Sequence, residues 1–195
     1  MAEKLENKEP EILPFETPDA FEKWLAKHHN KVNSILLRFF KKDSEKKSIT
    51  YKEAVDEALC YGWIDGRANK FDDESWIQKF TPRRAKSIWS KRNVNNIERL
   101  TTLAKMKPSG LDEVAKAKAD GRWAQAYDSP KEMQISDDFM NALSKKKKAK
   151  AFFETLNKTN KYAIGWRLQT AKKPETKEKR IKAIVEMLAK EQKLH

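Results

Sequence analysis

The sequence predicts an α+β fold: a small antiparallel sheet with helices in the N-terminal part, followed by a mainly helical C-terminal part. Three observations carry that reading. Strand-length runs of β-branched and aromatic residues stop before Arg84, whereas apolar residues from Ser87 onward recur at helical spacing. The 195 residues include 9 Phe, 6 Trp and 4 Tyr, so a chain that is 36% charged still has the side chains for a core. The single cysteine excludes an internal disulfide framework and a cysteine zinc site, and three histidines leave little for a histidine metal centre. No metal and no cofactor is expected.

Each element has its own signal. Residues 1–14 carry charge and little apolar content, with prolines at Pro10 and Pro14, and are expected to form a flexible lead-in. A small α+β unit is expected over 15–86. Thr17 caps a helix with Pro18 at its first position, and Phe21, Trp24, Leu25 and His28 share one face, which makes His28 a helix-face residue rather than a ligand. Ser34 to Phe40, SILLRFF, reads as a strand, and Lys41 to Lys47 as a turn. Thr50 and Glu53 form a capping box, so a helix starts at Tyr51, and Gly62 ends it in the left-handed conformation. Two short runs, Trp63 to Phe71 and Ser75 to Thr81, flank Asp72-Asp73-Glu74 and predict a hairpin.

Helices follow. A helical region over 87–135, packed on the first unit, is expected to contain one helix with Val94, Ile97, Leu100 and Leu103 as its stripe. Pro108-Ser109-Gly110 reads as a hinge before a second helix with Leu111, Val114 and Ala115. A C-terminal helical module is expected over 136–195. Ser136 with Asp137 and Asp138 marks its start, and Pro174 opens a final helix whose face is Ile181, Ile184, Val185 and Leu188.

The net charge of +13 is uneven. Residues 1–100 hold 20 basic against 17 acidic groups, and residues 101–195 hold 22 against 12. Such a field steers anionic partners, nucleic acid among them, and also keeps a protein in solution. The N-terminal stretch MAEKLENKEPE does not have signal-peptide chemistry, and no apolar run reaches about 18 residues, so a cytoplasmic protein without a transmembrane segment is expected.

The stretch from Cys60 to Arg92 departs from simple core-and-cap patterning. Between Ser75 and Arg92 lie Lys79, Arg83, Arg84, Lys86, Lys91 and Arg92 without one acidic residue, interleaved with Trp76, Phe80 and Trp89. Rings beside guanidinium groups suit stacking on a flat anionic ligand. The competing reading puts the tryptophans in the core and pairs the arginines with Asp65, Asp72, Asp73 and Glu74. Trp63-Ile64-Asp65-Gly66-Arg67 is the sharpest local motif, with Asp65 expected to meet Arg67 or a downstream arginine. No histidine or second carboxylate is placed beside it, so an ion pair is expected there rather than a proton-transfer site. Cys60 reads as buried and inert. The candidate binding residues are therefore Trp63, Asp65, Arg67, Trp76, Phe80, Arg83, Arg84, Trp89, Lys91 and Arg92; no catalytic residue is assigned. Phosphate-loop, dinucleotide, zinc-protease and nucleophile-elbow motifs are absent.

These same residues carry a resemblance. ITYKEAVDEALCYGWIDG, FTPRRAKSIWSKRN, the stretch Gly110 to Tyr127 with its A-K-A-D-G-R-W core, and a C-terminal segment leading to TAKKPETKEKRI resemble the bacterial YdeI/OmpD-associated family of bacteriocin-protection proteins, over about Phe15 to Leu188. The part from Ser136 to Ala189 is similar to the module that gives the family its name. The resemblance implies a role in tolerance of bacteriocins, antimicrobial peptides or related stress and supplies no catalytic residues. The function expected is a non-enzymatic stress-tolerance protein that meets an unidentified protein or an anionic partner. One alternative is a nucleic-acid-binding protein acting through residues 75–92; another is an enzyme with Asp65 and Arg83 or Arg84 as substrate anchors.

Overall fold

The three strands expected before Arg84 pair, with a fourth at Ile12–Pro14, into one four-stranded sheet in this computed structural model, which describes residues 10–194. The order is β1-β2-β4-β3, from β1 (Ile12–Pro14), β2 (Ile35–Phe40), β3 (Trp63–Lys70) and β4 (Ser75–Pro82). The fold class is the one expected, but the sheet is mixed, because β1 runs parallel to β2 while β2, β4 and β3 are antiparallel. β1 corrects the reading of residues up to 14 as a lead-in: Ile12, Leu13 and Pro14 pair with Leu36, Leu37 and Arg38. Pro14 hides the strand in the sequence, yet an edge strand tolerates a residue without an N–H. Residues 1–9 of the expected lead-in lie outside the described residues.

Two helices cover one face of the sheet. In α1 (Pro18–His28) the Thr17 hydroxyl accepts from the Ala20 N–H, and Phe21 and Leu25 are buried. In α2 (Tyr51–Cys60) both halves of the capping box form. The Thr50 hydroxyl and N–H hold the Glu53 carboxyl below its ordinary pKa, the backbone bond being the larger cause. Strand residues alternate, so Ile35, Leu37 and Phe39 of β2 share the helix-facing side with Trp76, Gln78 and Phe80, their partners on β4. Phe21 meets Phe80 with ring centroids 6.1 Å apart, and Trp24 meets Trp63 at 6.0 Å.

Gly62 ends α2 at φ +76°, as expected. The segment read as a hinge is instead the first turn of α4 (Pro108–Ala119), with Pro108 at its start. The start of α4 caps the end of α2: the Lys107 N–H donates to the Cys60 carbonyl and the Ser109 hydroxyl to that of Tyr61. Gly110 is required there, because a Cβ would lie 2.2 Å from the Cys60 carbonyl oxygen. α3 (Lys91–Thr102) buries Asn93, Ile97 and Leu100, while Leu103 lies beyond its end and is 56% exposed. The expected stripe was therefore displaced by one position at its start and ran one turn too far.

The chain divides into two units. The first runs to Trp89 and takes in Asn93–Gln125; the second takes Ser90–Arg92 and resumes at Ala126. The helical stretch 87–135 is thus shared between them. The second unit holds α5 (Asp137–Ser144), α6 (Lys147–Thr155), α7 (Lys158–Gln169) and α8 (Pro174–Ala189). Phe139, Leu143, Phe153, Ile164, Leu168, Ile184, Val185 and Leu188 form its core, with the expected α8 face buried. Among the described residues no helix is long and apolar enough to cross a membrane.

Candidate functional site

The structure sorts the expected binding residues into three groups. Trp63, Phe80, Arg83 and Trp89 are buried, which removes them from any ligand-stacking surface. Trp63 donates its indole N–H to the His29 carbonyl at 3.1 Å, and Phe80 packs on Phe21. Trp76 and Asp65 are half-buried, on the helix-facing side of the sheet. Arg67, Arg84, Lys91 and Arg92 are exposed. Arg67 sits in a bulge of β3 between Asp65 and Ala68, where Gln78 donates to the Gly66 carbonyl at 2.5 Å. Lys91 and Arg92 count with the second unit, and Lys91 pairs with Asp128 at 2.5 Å.

Arg83 and Trp89 belong to a cation–ring stack inside the first unit. The Arg83 guanidinium lies 3.5 Å from the Trp89 ring centroid, Trp89 meets Trp123 at 4.9 Å, and the Lys118 ammonium lies 5.4 Å from the ring of Trp123. Arg122, also buried, clamps Asp120 through Nε at 2.6 and 2.9 Å and donates to the Ser87 carbonyl at 2.9 Å, tying down the loop that carries Trp89. The hairpin carboxylates meet cations from outside residues 75–92. Asp72 takes Arg38 and the Ser75 hydroxyl, Asp73 takes Lys70, and Glu74 stands 4.0 Å from Lys46. The Ser75 hydroxyl is the main cause that holds the Asp72 carboxyl below its ordinary pKa.

Asp65 does not form the expected ion pair. It accepts a 2.7 Å hydrogen bond from the Tyr51 hydroxyl of α2, and the bulge between Asp65 and Ala68 breaks the alternation that would otherwise set Asp65 and Arg67 on one face. Cys60 is buried, and burial, reinforced by Glu57, pushes its thiol up to about 12, so it stays protonated. Among the described residues no group of three or more metal-ligating side chains converges.

Tyr51 and Trp76 instead line an open cleft. Trp76 stacks on Phe39 with centroids 4.5 Å apart and planes at 18°, and Tyr51 meets Trp76 at 6.1 Å. Together they line a cleft of about 630 Å³ whose rim is the turn after β2. Lys41, Lys42, Lys46 and Lys47 stand on that rim against Glu16 and Glu45, and Ser44, Ser48 and Thr50 add hydroxyls. Lys41 donates to the Asp73 carbonyl, and Lys46 lies 5.7 Å from the Phe40 ring centroid. The cleft has an aromatic lining and cationic edges, which is the chemistry expected of residues 75–92, with Trp76 kept from that stretch and the cations supplied by the turn after β2.

Comparison with known proteins places these features. Residues 13–113 match a family model described as a domain of unknown function, DUF8412, over more than half of the chain. The chain belongs to the DUF8412 family. Residues 132–191 match a second model, described as "Bacteriocin-protection, YdeI or OmpD-Associated", so the resemblance to that family holds for the C-terminal part. No curated protein and no solved structure matches. The lysine-rimmed cleft, Asp65 and the Arg83–Trp89 pair all lie in the DUF8412 domain, whereas Arg122 and Trp123 fall between the two matched segments. Tyr51, Phe39 and the four rim lysines were missed as site residues, because a capping-box helix start and a charged turn explain them fully as local structure. The signal for Arg122 and Trp123 was the G-R-W core, present in the sequence without an assigned role.

Proposed function

We propose that this protein is a non-enzymatic stress-tolerance protein of the bacterial cytoplasm, protecting against bacteriocins or related peptides by binding an anionic partner. The match of residues 132–191 supports the protective role. The observation that carries the binding reading is the lysine-rimmed cleft, which Lys41, Lys42, Lys46 and Lys47 line together with Trp76 and Tyr51. Cations on a rim attract an anion from a distance, and a ring in the cleft supplies contact once it arrives. Asp65, the anchor an enzyme would need, is engaged by Tyr51, while Arg83 is engaged by Trp89 and the Ile88 carbonyl.

The test uses cells that depend on this protein for survival of a bacteriocin challenge. Complementation with Lys42→Glu/Lys47→Glu is expected to leave cells as sensitive as those without the protein, at unchanged protein level. Full protection by that variant would remove the cleft from the function. Nucleic acid as the partner is favoured by Trp76, the one of the three expected tryptophans that keeps part of its ring open. In that case Trp76→Ala weakens binding of oligothymidylate by about 1 to 3 kcal/mol and leaves inorganic polyphosphate, which has no base to stack, unaffected.

A further inference from the structure

The second unit contains a groove with a different composition. It runs between α5 and α8 and encloses about 820 Å³. Its apolar lining is Ala142 of α5 with Ile181 and Val185 of α8, the latter two also part of the helical core, and Ala171 and Pro174 at one end. Lys145 and Lys146 follow α5 on one bank, Lys172 and Lys173 precede α8 at one end, and all four are exposed. Lys177 and Lys182 stand along α8 itself. Three carboxylates face these six lysines: Asp138, which pairs with Lys177 at 2.6 Å, and Glu178 and Glu186, which alternate with Lys182 along α8.

We propose that this groove docks an acidic amphipathic helix of a partner protein. An apolar strip between cationic banks is complementary to a helix with apolar residues at i, i+3, i+4 and i+7 and carboxylates on its flanks. No aromatic ring lines the groove, so it lacks the stacking surface that a single-stranded nucleic acid uses. A flat anionic membrane meets the lysines but leaves the apolar floor unfilled. The proposal does not rest on the cleft of the first unit.

Fluorescence anisotropy on the full chain tests it, with a labelled helical peptide carrying leucine at those four positions and glutamate on both flanks. The same peptide with lysine flanks, vesicles containing phosphatidylglycerol, and oligothymidylate serve as competing probes. The acidic peptide is expected to bind and to lose at least about tenfold in affinity in Lys145→Glu/Lys173→Glu, with an unchanged circular dichroism spectrum. Ala142→Trp, which fills the floor without touching charge, is expected to weaken the peptide as well, and Lys42→Glu/Lys47→Glu is expected to leave it unchanged. Equal binding of the lysine-flanked peptide, or full affinity in both groove variants, overturns the proposal. So does loss of vesicle or oligothymidylate binding in those variants when the acidic peptide does not bind.

Discussion

Two cation–ring arrangements in the first unit use the same residue types to opposite ends. Arg83 lies 3.5 Å from a Trp89 ring that is 1% exposed, backed by Trp123 and closed by Arg122. At the cleft, exposed lysines share the lining with the half-open Trp76, and Lys46 lies 5.7 Å from the Phe40 ring centroid. The first arrangement is desolvated, so its energy goes into stability. The second keeps its cations in water, where each contributes little to folding, and of the four Lys41 is held by the Asp73 carbonyl and Lys46 stands beside Glu74. A basic aromatic composition therefore marks either a structural stack or a binding surface, and burial decides between them.

The sharpest way to break that contrast is Trp89→Ala. Removing a fully buried indole that supports both Arg83 and Trp123 is expected to cost about 3 to 5 kcal/mol, read as a drop in urea midpoint. Gly110→Ala comes next. Its Cβ would meet the Cys60 carbonyl at 2.2 Å, backbone that cannot move without disturbing the end of α2, so a loss of about 1 to 3 kcal/mol is expected. Both variants should bind anionic probes normally at temperatures where they stay folded.

Tyr51→Phe sharpens the role of Asp65. Losing the 2.7 Å bond at a half-exposed carboxylate is expected to cost about 1 kcal/mol, and Asp65→Asn less, because the amide oxygen still accepts from Tyr51. An ion-pair account would make Asp65→Asn the more damaging of the two, and thermal melts of both variants distinguish them.

The smallest effect is a pH dependence in the first unit. Glu22 accepts from the Tyr61 hydroxyl at 2.6 Å and pairs with Lys107 at 3.0 Å, and these bonds, Tyr61 first, hold its carboxyl below the ordinary range. A depressed carboxyl stabilises the fold above its unfolded pKa of about 4.3, and that contribution is lost as pH falls through the folded value. Glu57 acts oppositely: burial raises its pKa against the pull of Lys105, so its burden on stability appears as pH rises through the unfolded value toward the folded one. Glu22→Gln is therefore expected to flatten the acid side of a stability profile between about pH 6 and pH 3, and Glu57→Gln to steepen it.

Much of this fold is legible in the sequence because its signals are local. Thr50 and Glu53 announce α2, Gly62 ends it, the hairpin follows from two strand runs around an acidic turn, and the α8 stripe is buried as its spacing implies. What fails depends on tertiary partners. β1 exists only because β2 offers it an edge, and Pro108-Ser109-Gly110 is helical because the end of α2 needs donors and close approach. The candidate site fails for a related reason. Trp63, Phe80 and Trp89 interleave with cations in a way that leaves surface and core readings both open along the chain, and strand alternation and the Arg122 clamp decide for the core. Lys41 to Lys47 reads as a solvated turn, and only the register of β2 with β4 brings it beside Trp76.

The division between stack and cleft is tested most directly by measuring, on the same samples, polyphosphate affinity and melting temperature for Lys42→Glu/Lys47→Glu and Trp89→Phe. The account predicts that the cleft variant loses at least about tenfold in affinity with its melting temperature unchanged, while Trp89→Phe melts earlier and binds as the parent does. Lost affinity in Trp89→Phe together with full affinity in the cleft variant would contradict it.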